Sequence, residues 1–266
     1  WEEGKNIERD YSGFSKDELL NMIREAGIVG LGGAAFPSAV KLSVPAGKTC
    51  EYIVINGVEC EPYLTLDHRL MLERPQDLVK GIELLQKITG AKKVFIGIEE
   101  NKPDAINTLS EVVKGKNNIE VQSLKLKYPQ GDEKMLINAV LGRQVPSGGL
   151  PIDIGVVVQN VVTTIAIYEA IAYNKPLIEK AVTVTGKAIS EPANYQVRIG
   201  TMINVILEES KGYKAAPKKL VAGGPMTCTA LYTTEVPIMK GTSGLLAMTE
   251  EETSLDESGP CIRCAK

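Results

Sequence analysis

The chain of 266 residues has few aromatic side chains and a single histidine: it contains one Trp, three Phe and one His. So few aromatics argue against the stacking platforms on which single-stranded nucleic acids bind. The net charge of −3 gives no basic face for a phosphate backbone. His68 is the one histidine, and we interpret it as structural. A Ser-His-Asp site elsewhere in the chain would have no imidazole to use. Nucleic acid is therefore not expected as a partner.

A long uncharged hydrophobic run is also missing. The most apolar stretch, residues 152–173, contains Asp153, Gln159, Asn160 and Glu169. A helix that spans a bilayer needs ~20 nearly uncharged residues. We interpret this stretch as a buried strand followed by a helix, so any membrane association must come through partner proteins.

Cysteines are few and odd in number, at positions 50, 60, 228, 261 and 264. Without a recognisable secretory leader, this count favours a reducing compartment over a disulfide scaffold. Cys50, Cys60 and Cys228 are predicted to be buried small apolar residues. Cys261-x-x-Cys264 could be half of a zinc site, a redox pair or the start of an iron–sulfur ligand run. Because the chain also starts at Trp1, we interpret it as a piece of a longer protein, truncated at both ends.

Hydrophobic periodicity predicts strands that alternate with helices over the first 175 residues. Ser15 and Glu18 form the capping box of the first helix, and Gly90 follows a later one. The predicted strands cover residues 51–56, 93–98, 119–127 and 156–159, and the predicted helices 15–27, 75–89, 103–114, 132–141 and 161–173. This alternation is typical of an α/β fold with a mainly parallel sheet.

The pattern changes after Pro176. Residues 181–186 and 220–222 are predicted as strands, and residues 199–208 as a short helix. We therefore divide the chain into an α/β domain (1–175), a small β-rich module (176–248) and an acidic linker that leads into the last two cysteines (249–266).

A glycine-rich loop is the first candidate binding element. Gly30, Gly32 and Gly33 precede Phe36 and, one helical turn further on, Lys41. Glycines let backbone amides approach a ligand closely, and the start of the following helix attracts phosphate. Alone this signal is weak, since such loops often only solve a packing problem. The spacing also differs from the Rossmann dinucleotide fingerprint.

Three further segments place polar side chains where predicted strands end and helices begin. Ligands of parallel sheets bind at such positions. Asn56, Glu59 and Glu61 follow one strand, and we expect the two carboxylates to point the same way along an extended segment. Each of these residues also has an ordinary structural explanation, such as a turn cap or a surface pair. The remaining candidates are Tyr128, Gly131, Asp132, Glu133, Asn160 and Thr163.

Taken in order, these four segments resemble the motifs of the complex I flavoprotein subunit family, which includes the C subunits of Rnf-type ferredoxin:NAD oxidoreductases. Gly-x-Gly-Gly-Ala-x-Phe-Pro-x-x-x-Lys at residues 30–41 resembles the FMN loop of that family. Asn-Gly-Val-Glu-Cys-Glu-Pro at 56–62 and Tyr-Pro-Gln-Gly at 128–131 are similar to the Rnf-type members. The sequence departs from the complex I pattern at Val58, where an Asp is expected, and at Asp132, where a Glu is expected.

This resemblance implies a complex I flavoprotein-like, Rossmann-like domain that binds FMN and NAD(H). Gly30, Gly32, Gly33 and Lys41 are then expected around the flavin or its phosphate, and Phe36 against the nicotinamide nucleotide. The implied hydrogen-bonding residues of the cofactors are Asn56, Glu59, Glu61, Tyr128, Gly131, Asp132, Glu133, Asn160 and Thr163. The flavin would carry the chemistry, so no catalytic side chain is predicted.

The resemblance also covers the rest of the chain. Residues 178–248 resemble the soluble-ligand-binding β-grasp domain of the family. Cys261 and Cys264 are then a partial ligand set of a [4Fe–4S] cluster that belongs to the full-length protein. Two thiolates do not hold such a cluster, so none is expected in this fragment.

The implied function is NAD(H)-linked electron transfer through FMN to iron–sulfur clusters, by a peripheral subunit on the cytoplasmic face of the cell membrane. Its implied partners are NADH and the other subunits of a membrane complex. A cobalamin reductase flavoprotein of the same architecture is one alternative. A cofactor-less β-grasp ligand-binding or scaffold protein is the other, and the departures at Val58 and Asp132 keep it open.

Overall fold

The computed structural model describes residues 7–253, which form two modules, each built on its own sheet. The helices are α1 (Lys16–Glu25), α2 (Ser38–Leu42), α3 (Leu66–Glu73), α4 (Pro75–Thr89), α5 (Pro103–Val112), α6 (Glu133–Leu141), α7 (Val161–Tyr173) and α8 (Ile203–Glu209). The strands are β1 (Tyr52–Gly57), β2 (Lys93–Glu99), β3 (Ile119–Leu124), β4 (Val156–Asn160), β5 (Glu179–Thr185), β6 (Ala193–Arg198), β7 (Lys219–Ala222), β8 (Thr229–Leu231) and β9 (Gly244–Met248).

The first module has a four-stranded sheet of order β3-β2-β1-β4, in which all neighbours are parallel. Side chains of a strand alternate between the two faces of its sheet. Accordingly Ile53 and Ile55 lie in the large core beneath α1, α4, α5 and α7, whereas Val54 joins a smaller core with Leu136 and Ile137 of α6. Helices therefore cover both faces, and the predicted α/β fold with a parallel sheet is confirmed.

Local sequence signals fix several element ends as expected. Ser15 and Glu18 form the capping box of α1, and Gly90 ends α4 in a left-handed conformation. Asp132 caps α6 instead of opening it, since its side chain accepts hydrogen bonds from the amides of Lys134 and Met135. The predicted strand 119–127 was too long at its end, because the chain leaves the sheet after Leu124.

The second module is a five-stranded mixed sheet of order β6-β5-β9-β7-β8. β5 pairs antiparallel with β6 and parallel with β9, and α8 packs its buried residues Ile203, Ile206 and Leu207 into the core beside the sheet. The predicted helix 199–208 begins four residues later than expected, at Ile203, since Gly200 stands at positive φ and Met202 is the cap.

Four elements were not predicted from periodicity: α3, β6, β8 and β9. β6 and β8 have mostly exposed or half-buried side chains, so they carry little hydrophobic alternation. Among the described helices, none has the length and apolar character needed to cross a bilayer.

Candidate functional site

A cleft lies at the carboxyl ends of β1 and β4. The chain builds β2 and β3 on one side of β1 and then crosses to add β4 on the other side, so this is the point where the strand order reverses. Parallel α/β sheets bind ligands at such switch points. The cleft has an empty volume of about 620 Å³, open solvent included. Its lining comprises Leu31, Gly32, Asn56, Glu59, Cys60, Glu61, Leu64, Leu66, Asp67, Gly131, Asn160 and Ser243.

The glycine loop forms one rim of the cleft. Gly30 donates its amide to the Phe36 carbonyl at 2.8 Å and accepts from the Ala35 amide at 3.1 Å, which closes the loop at its base. Thr163, fully buried in the first turn of α7, accepts the Leu31 amide at 2.9 Å and holds the loop against the cleft. Within the described part of the chain, the exposed amides at positions 32–34 donate to no protein acceptor. The loop thus offers free donors at the rim.

Asn160 links this loop to the end of β4. Its side-chain oxygen caps α7 by accepting the amides of Val162 and Thr163, and its Nδ2 donates to Asp67 Oδ2 at 2.6 Å. A Cβ atom added to Gly32 would lie 3.3 Å from Asn160 Nδ2, so the loop packs on this side chain with little space. A Cβ at position 32 would fit only if Asn160 shifted by a few tenths of an ångström, so glycine suits this close approach.

Asn56 links two segments in the same way at the end of β1. Its Nδ2 donates to the Gly131 carbonyl at 2.9 Å, and its Oδ1 accepts the Val58 amide at 3.2 Å. The segment at 128–133 is therefore held to the segment after β1 across the floor of the cleft.

Two carboxylates share the inner part of the cleft. Glu59 accepts the amides of Asp67 and His68, at 2.7 and 3.1 Å, at the start of α3. Burial, and secondarily the neighbouring carboxylate of Asp67, raise the pKa of Glu59 to about 8, against the opposing effect of those amides and of Lys102. Burial also raises the pKa of Asp67, to about 6. Glu59 therefore keeps a proton that an exposed carboxylate has lost at neutral pH, whereas Asp67, with its smaller shift, is largely ionised there.

Two buried lysines balance this pair. Lys102 donates to the Val58 carbonyl at 2.8 Å and lies 3.4 Å from Oε2 of the fully buried Glu99. Lys180, from the second module, donates to the Lys240 carbonyl at 2.8 Å. Burial lowers the pKa of Lys180 to about 8, and the charge of Asp67 opposes that shift. Sequence reasoning missed Asp67, Lys102 and Lys180; a lysine next to a buried strand end was the available signal for Lys102.

Glu59 and Glu61 point in different directions, so the expectation that they share one direction was wrong. Glu59 stands at φ 49°, a left-handed conformation that breaks the extended segment. Glu61 reaches the second module, where its carboxylate accepts the amides of Met226 and Thr227, at 3.1 and 2.9 Å, and the Thr227 hydroxyl.

Lys41 and Glu133 meet at a second rim of the site, where Lys41 Nζ lies 2.5 Å from Glu133 Oε1. That oxygen is buried and accepts no hydrogen bond of acceptable geometry from the described residues. Neither residue lines the cleft itself. Phe36 and Tyr128 are exposed, at 52% and 44% of their surface, so Tyr128 is not a core aromatic.

The structure thus brings six of the predicted site residues into one cleft: Gly32, Asn56, Glu59, Glu61, Gly131 and Asn160. Gly30, Thr163 and Asp132 support the loops around it, and Gly33, Phe36, Lys41, Tyr128 and Glu133 lie outside its lining. Ser243 and Leu31 were not foreseen. The roles of all these residues toward a cofactor stay predictions.

The cysteine predictions have mixed outcomes. Cys50 is buried as expected, but Cys60, which lines the cleft, and Cys228, in the loop before β8, are only half-buried. Cys261 and Cys264 fall outside the described residues 7–253. Within that range no group of three or more His, Cys, Asp or Glu side chains is placed to hold a metal ion.

Comparisons with known proteins point to one family. A sequence-family model described as the Nuo51 FMN-binding domain matches residues 23–169. The chain is 47% identical over its full length to the C subunit of the proton-translocating ferredoxin:NAD(+) oxidoreductase complex of Clostridium ljungdahlii, covering 58% of that protein. It is 45% identical over 94% of its length to the C subunit of the Na(+)-translocating ferredoxin:NAD(+) oxidoreductase complex of Acetobacterium woodii, covering 56% of it.

The fold comparison agrees with this result. A chain of the NAD+-reducing [NiFe]-hydrogenase in its air-oxidized state superposes with a TM-score of 0.76 at 21% identity, over 89% of this chain and 47% of that one. At this identity the likeness shows the fold alone. The chain spans just over half the length of the two curated relatives it matches above. By its family match, the chain belongs to the family of the Nuo51 FMN-binding domain, and over 94–100% of its length it is similar to the C subunits of ion-translocating ferredoxin:NAD(+) oxidoreductase complexes.

Proposed function

We propose that this chain binds FMN in the cleft at the ends of β1 and β4 and exchanges a hydride with NAD(H) there, as part of an electron-transfer subunit. The observation that carries the proposal is the glycine loop with its free amides, fastened by Thr163 and Asn160 to a cleft at the switch point of the sheet. The family match supplies the cofactor class.

The residues around the cleft fit a flavin. The amides at positions 32–34 and the Lys41 ammonium suit phosphate and other negatively charged oxygens. Asn56 and Asn160 present amide groups at the cleft. Glu133, ion-paired with Lys41 at 2.5 Å, is a carboxylate acceptor at the second rim.

FMN, when bound, supplies the chemistry, because it takes up two electrons as a hydride and releases them singly. The chain's own residues bind and orient it. Glu59, with its raised pKa, holds a proton within the cleft at neutral pH and limits the negative charge beside an anionic cofactor. Phe36 and Tyr128, exposed at the rim, present aromatic faces to a nicotinamide nucleotide.

The second module corresponds, in this proposal, to the soluble-ligand-binding β-grasp domain of residues 176–248. Its strand order, with β5 and β9 parallel in the centre and a single helix across the sheet, supports that assignment. Cys261 and Cys264 would be the first ligands of a [4Fe–4S] cluster in the full-length protein, to which electrons pass from the flavin. The relatives named above belong to translocating complexes, which supports a peripheral position on the cytoplasmic face of the membrane beside partner proteins.

The test is a titration of the purified chain with FMN, followed by gel filtration and a visible spectrum. A flavin absorbance that stays with the protein, together with NADH-dependent reduction of ferricyanide, is the expected result. A chain that binds no FMN under reducing and oxidising conditions contradicts the proposal and favours a cofactor-less scaffold. Extending the protein through the complete cysteine run and reconstituting it anaerobically tests the cluster: iron supports the redox role of Cys261 and Cys264, and zinc without iron opposes it.

A further inference from the structure

We propose that the second module forms a wall of the cleft, and that Glu61 is the positioning residue that fastens it there, so that ligand affinity depends on how the two modules are joined. The inference rests on the proposed function only in its choice of FMN as the probe. It changes the part assigned to Glu61 from cofactor ligand to a link between the modules.

Glu61 belongs to the cleft by its place after β1, yet its carboxylate is engaged by the loop between β7 and β8. Oε2 accepts the Met226 amide at 3.1 Å, and Oε1 accepts both the amide and the hydroxyl of Thr227. Hydrogen bonds to a charged acceptor contribute more than those between neutral groups. Three of them on one side chain link Glu61 to the second module.

Gly224 packs tightly against the Glu61 side chain. A Cβ atom added to Gly224 would lie 2.3 Å from Glu61 Oε2 and 2.9 Å from Glu61 Cβ. Glycine at position 224 therefore lets the loop approach the carboxylate, and any larger residue must displace it.

Further contacts between the two modules lie along the cleft, and we call these contacts, together with those of Glu61, the seam. Ser243 of the second module lines the cleft, and a Cβ on the nearby Gly241 would lie 3.1 Å from the carbonyl of Gly33 in the glycine loop. Lys240 donates to the Gly27 carbonyl at 2.6 Å, just before that loop. The second module thus touches both the glycine loop and the segment after β1.

A ligand that contacts this seam binds best when the modules are closed. Thermodynamic linkage requires the reverse as well: an occupied cleft holds the modules together, and a partner that pulls on the second module weakens binding in the cleft. Coupling between two sites of a protein typically changes affinity about 5- to 150-fold.

Two substitutions loosen the seam without altering a residue that lines the cleft. Thr227→Val removes the hydroxyl that donates to Glu61, and Gly224→Ala displaces the carboxylate. Each should raise the FMN dissociation constant of the 266-residue chain about 5- to 50-fold. Thr229→Val is the matched control, since this exposed threonine lies in the same segment and its hydroxyl has no hydrogen bond to another described residue. It should leave the constant unchanged.

The double variant Glu61→Gln/Thr227→Val separates the link from direct ligand contact. If Glu61 acts through Thr227, the two effects overlap and the double variant is little worse than the stronger single one. A loss of affinity in Glu61→Gln with none in Thr227→Val or Gly224→Ala would mean that Glu61 touches the ligand itself, which overturns the inference. Unchanged FMN affinity in all variants overturns it as well.

Hydrogen exchange on the FMN-free chain keeps the inference testable if the wild type binds no flavin. Loosening the seam should speed exchange of the amides of Met226 and Thr227 in Glu61→Gln, together with amides at 241–243. If exchange is faster at both places and the chain binds no flavin, FMN is contradicted as the cofactor, but the role of Glu61 in joining the modules is supported. Faster exchange at 226–227 alone, or at neither place, shows that Glu61 does not fasten the wall.

Discussion

The two edges of the parallel sheet carry charged residues in contrasting ways. At the amino edge, where β1 to β4 begin, the charges form exposed pairs: Arg143 with Glu51 at 2.9 Å, Lys93 with Glu120 at 2.7 Å, and Lys48 with Asp153. At the carboxyl edge, Glu59 and Asp67 lie within a cleft, and their pKa values are raised by burial.

The difference follows from how such a sheet is covered. At the amino edge the charged groups keep their water, so their pairing costs little and contributes little. At the carboxyl edge, the second module and the glycine loop exclude water from the carboxylates, which disfavours their charged forms. Groups held in an unfavourable state by their surroundings mark functional sites more often than satisfied surface pairs do. The carboxyl edge is therefore where substitutions should matter.

The largest effect is expected at Gly32. Replacing it by Val adds a side chain whose Cβ would lie 3.3 Å from Asn160 Nδ2, at a position where the loop faces the cleft. FMN binding should weaken by roughly 3 kcal/mol or more, about 150-fold in dissociation constant. Fluorescence titration measures it, with Gly13→Ala as the control, because a Cβ at Gly13 meets nothing within 4 Å. An unchanged affinity in a folded variant removes the loop from the site.

The second effect concerns the pH dependence of stability. Because the pKa of Glu59 is raised from 4.5 to about 8, the folded chain binds more protons than the unfolded chain between these values. The free energy of unfolding should therefore fall as pH rises from about 5 to about 8. Glu59→Gln keeps an acceptor for the α3 amides and does not titrate. The decrease in the free energy of unfolding between these pH values should therefore be smaller in this variant by about 2–4 kcal/mol.

Urea unfolding at several pH values measures this slope. The charges of Asp67 and of Lys102, before α5, act on Glu59, and the backbone amides of Asp67 and His68 in α3 donate to it. Lys180 of β5 acts on Asp67. Asp67, whose pKa is raised to about 6, should leave a smaller slope of the same sign in the variant. Glu51→Gln at the amino edge is the control and should leave the slope as in the wild type. Equal slopes in wild type and Glu59→Gln would contradict the buried state of this carboxyl.

The third effect separates the nucleotide from the flavin. Glu133→Gln removes the charge opposite Lys41 and exchanges one acceptor for a donor. The apparent affinity for NADH should fall about 10- to 100-fold, as expected for the loss of hydrogen bonds to a charged group, while FMN content changes little. Steady-state KM values for NADH and NADPH with the flavin content of the same preparation measure both. Lys41→Met tells whether the ion pair or the carboxylate alone is responsible, and FMN loss with unchanged NADH kinetics would assign Glu133 to the other ligand.

The smallest effect is expected at the amino edge. Lys48→Met breaks the exposed pair with Asp153, and should change the free energy of unfolding by at most ~1 kcal/mol. FMN affinity should stay at the wild-type value. A loss comparable to that of Gly32→Val would mean that the two edges do not differ in the way described above.

Local signals in the sequence determined the framework of the protein. The alternation of strands with helices, the capping box of Ser15 and Glu18, and the αL glycine after α4 depend on residues near one another in the chain, so they could be read directly. The order of the four motifs likewise indicated the family. The weakly alternating strands β6 and β8 escaped because their side chains are mostly not buried.

The tertiary structure alone decided which of these residues meet. The glycine loop follows no strand, and it reaches the cleft because Leu31 bonds to Thr163, 132 positions away in the chain. Glu59 and Glu61 diverge because of one left-handed residue and a loop more than 160 positions further on, and Lys180 of the second module acts on the charge of Asp67. Such contacts depend on how distant segments pack, and no local periodicity carries that information.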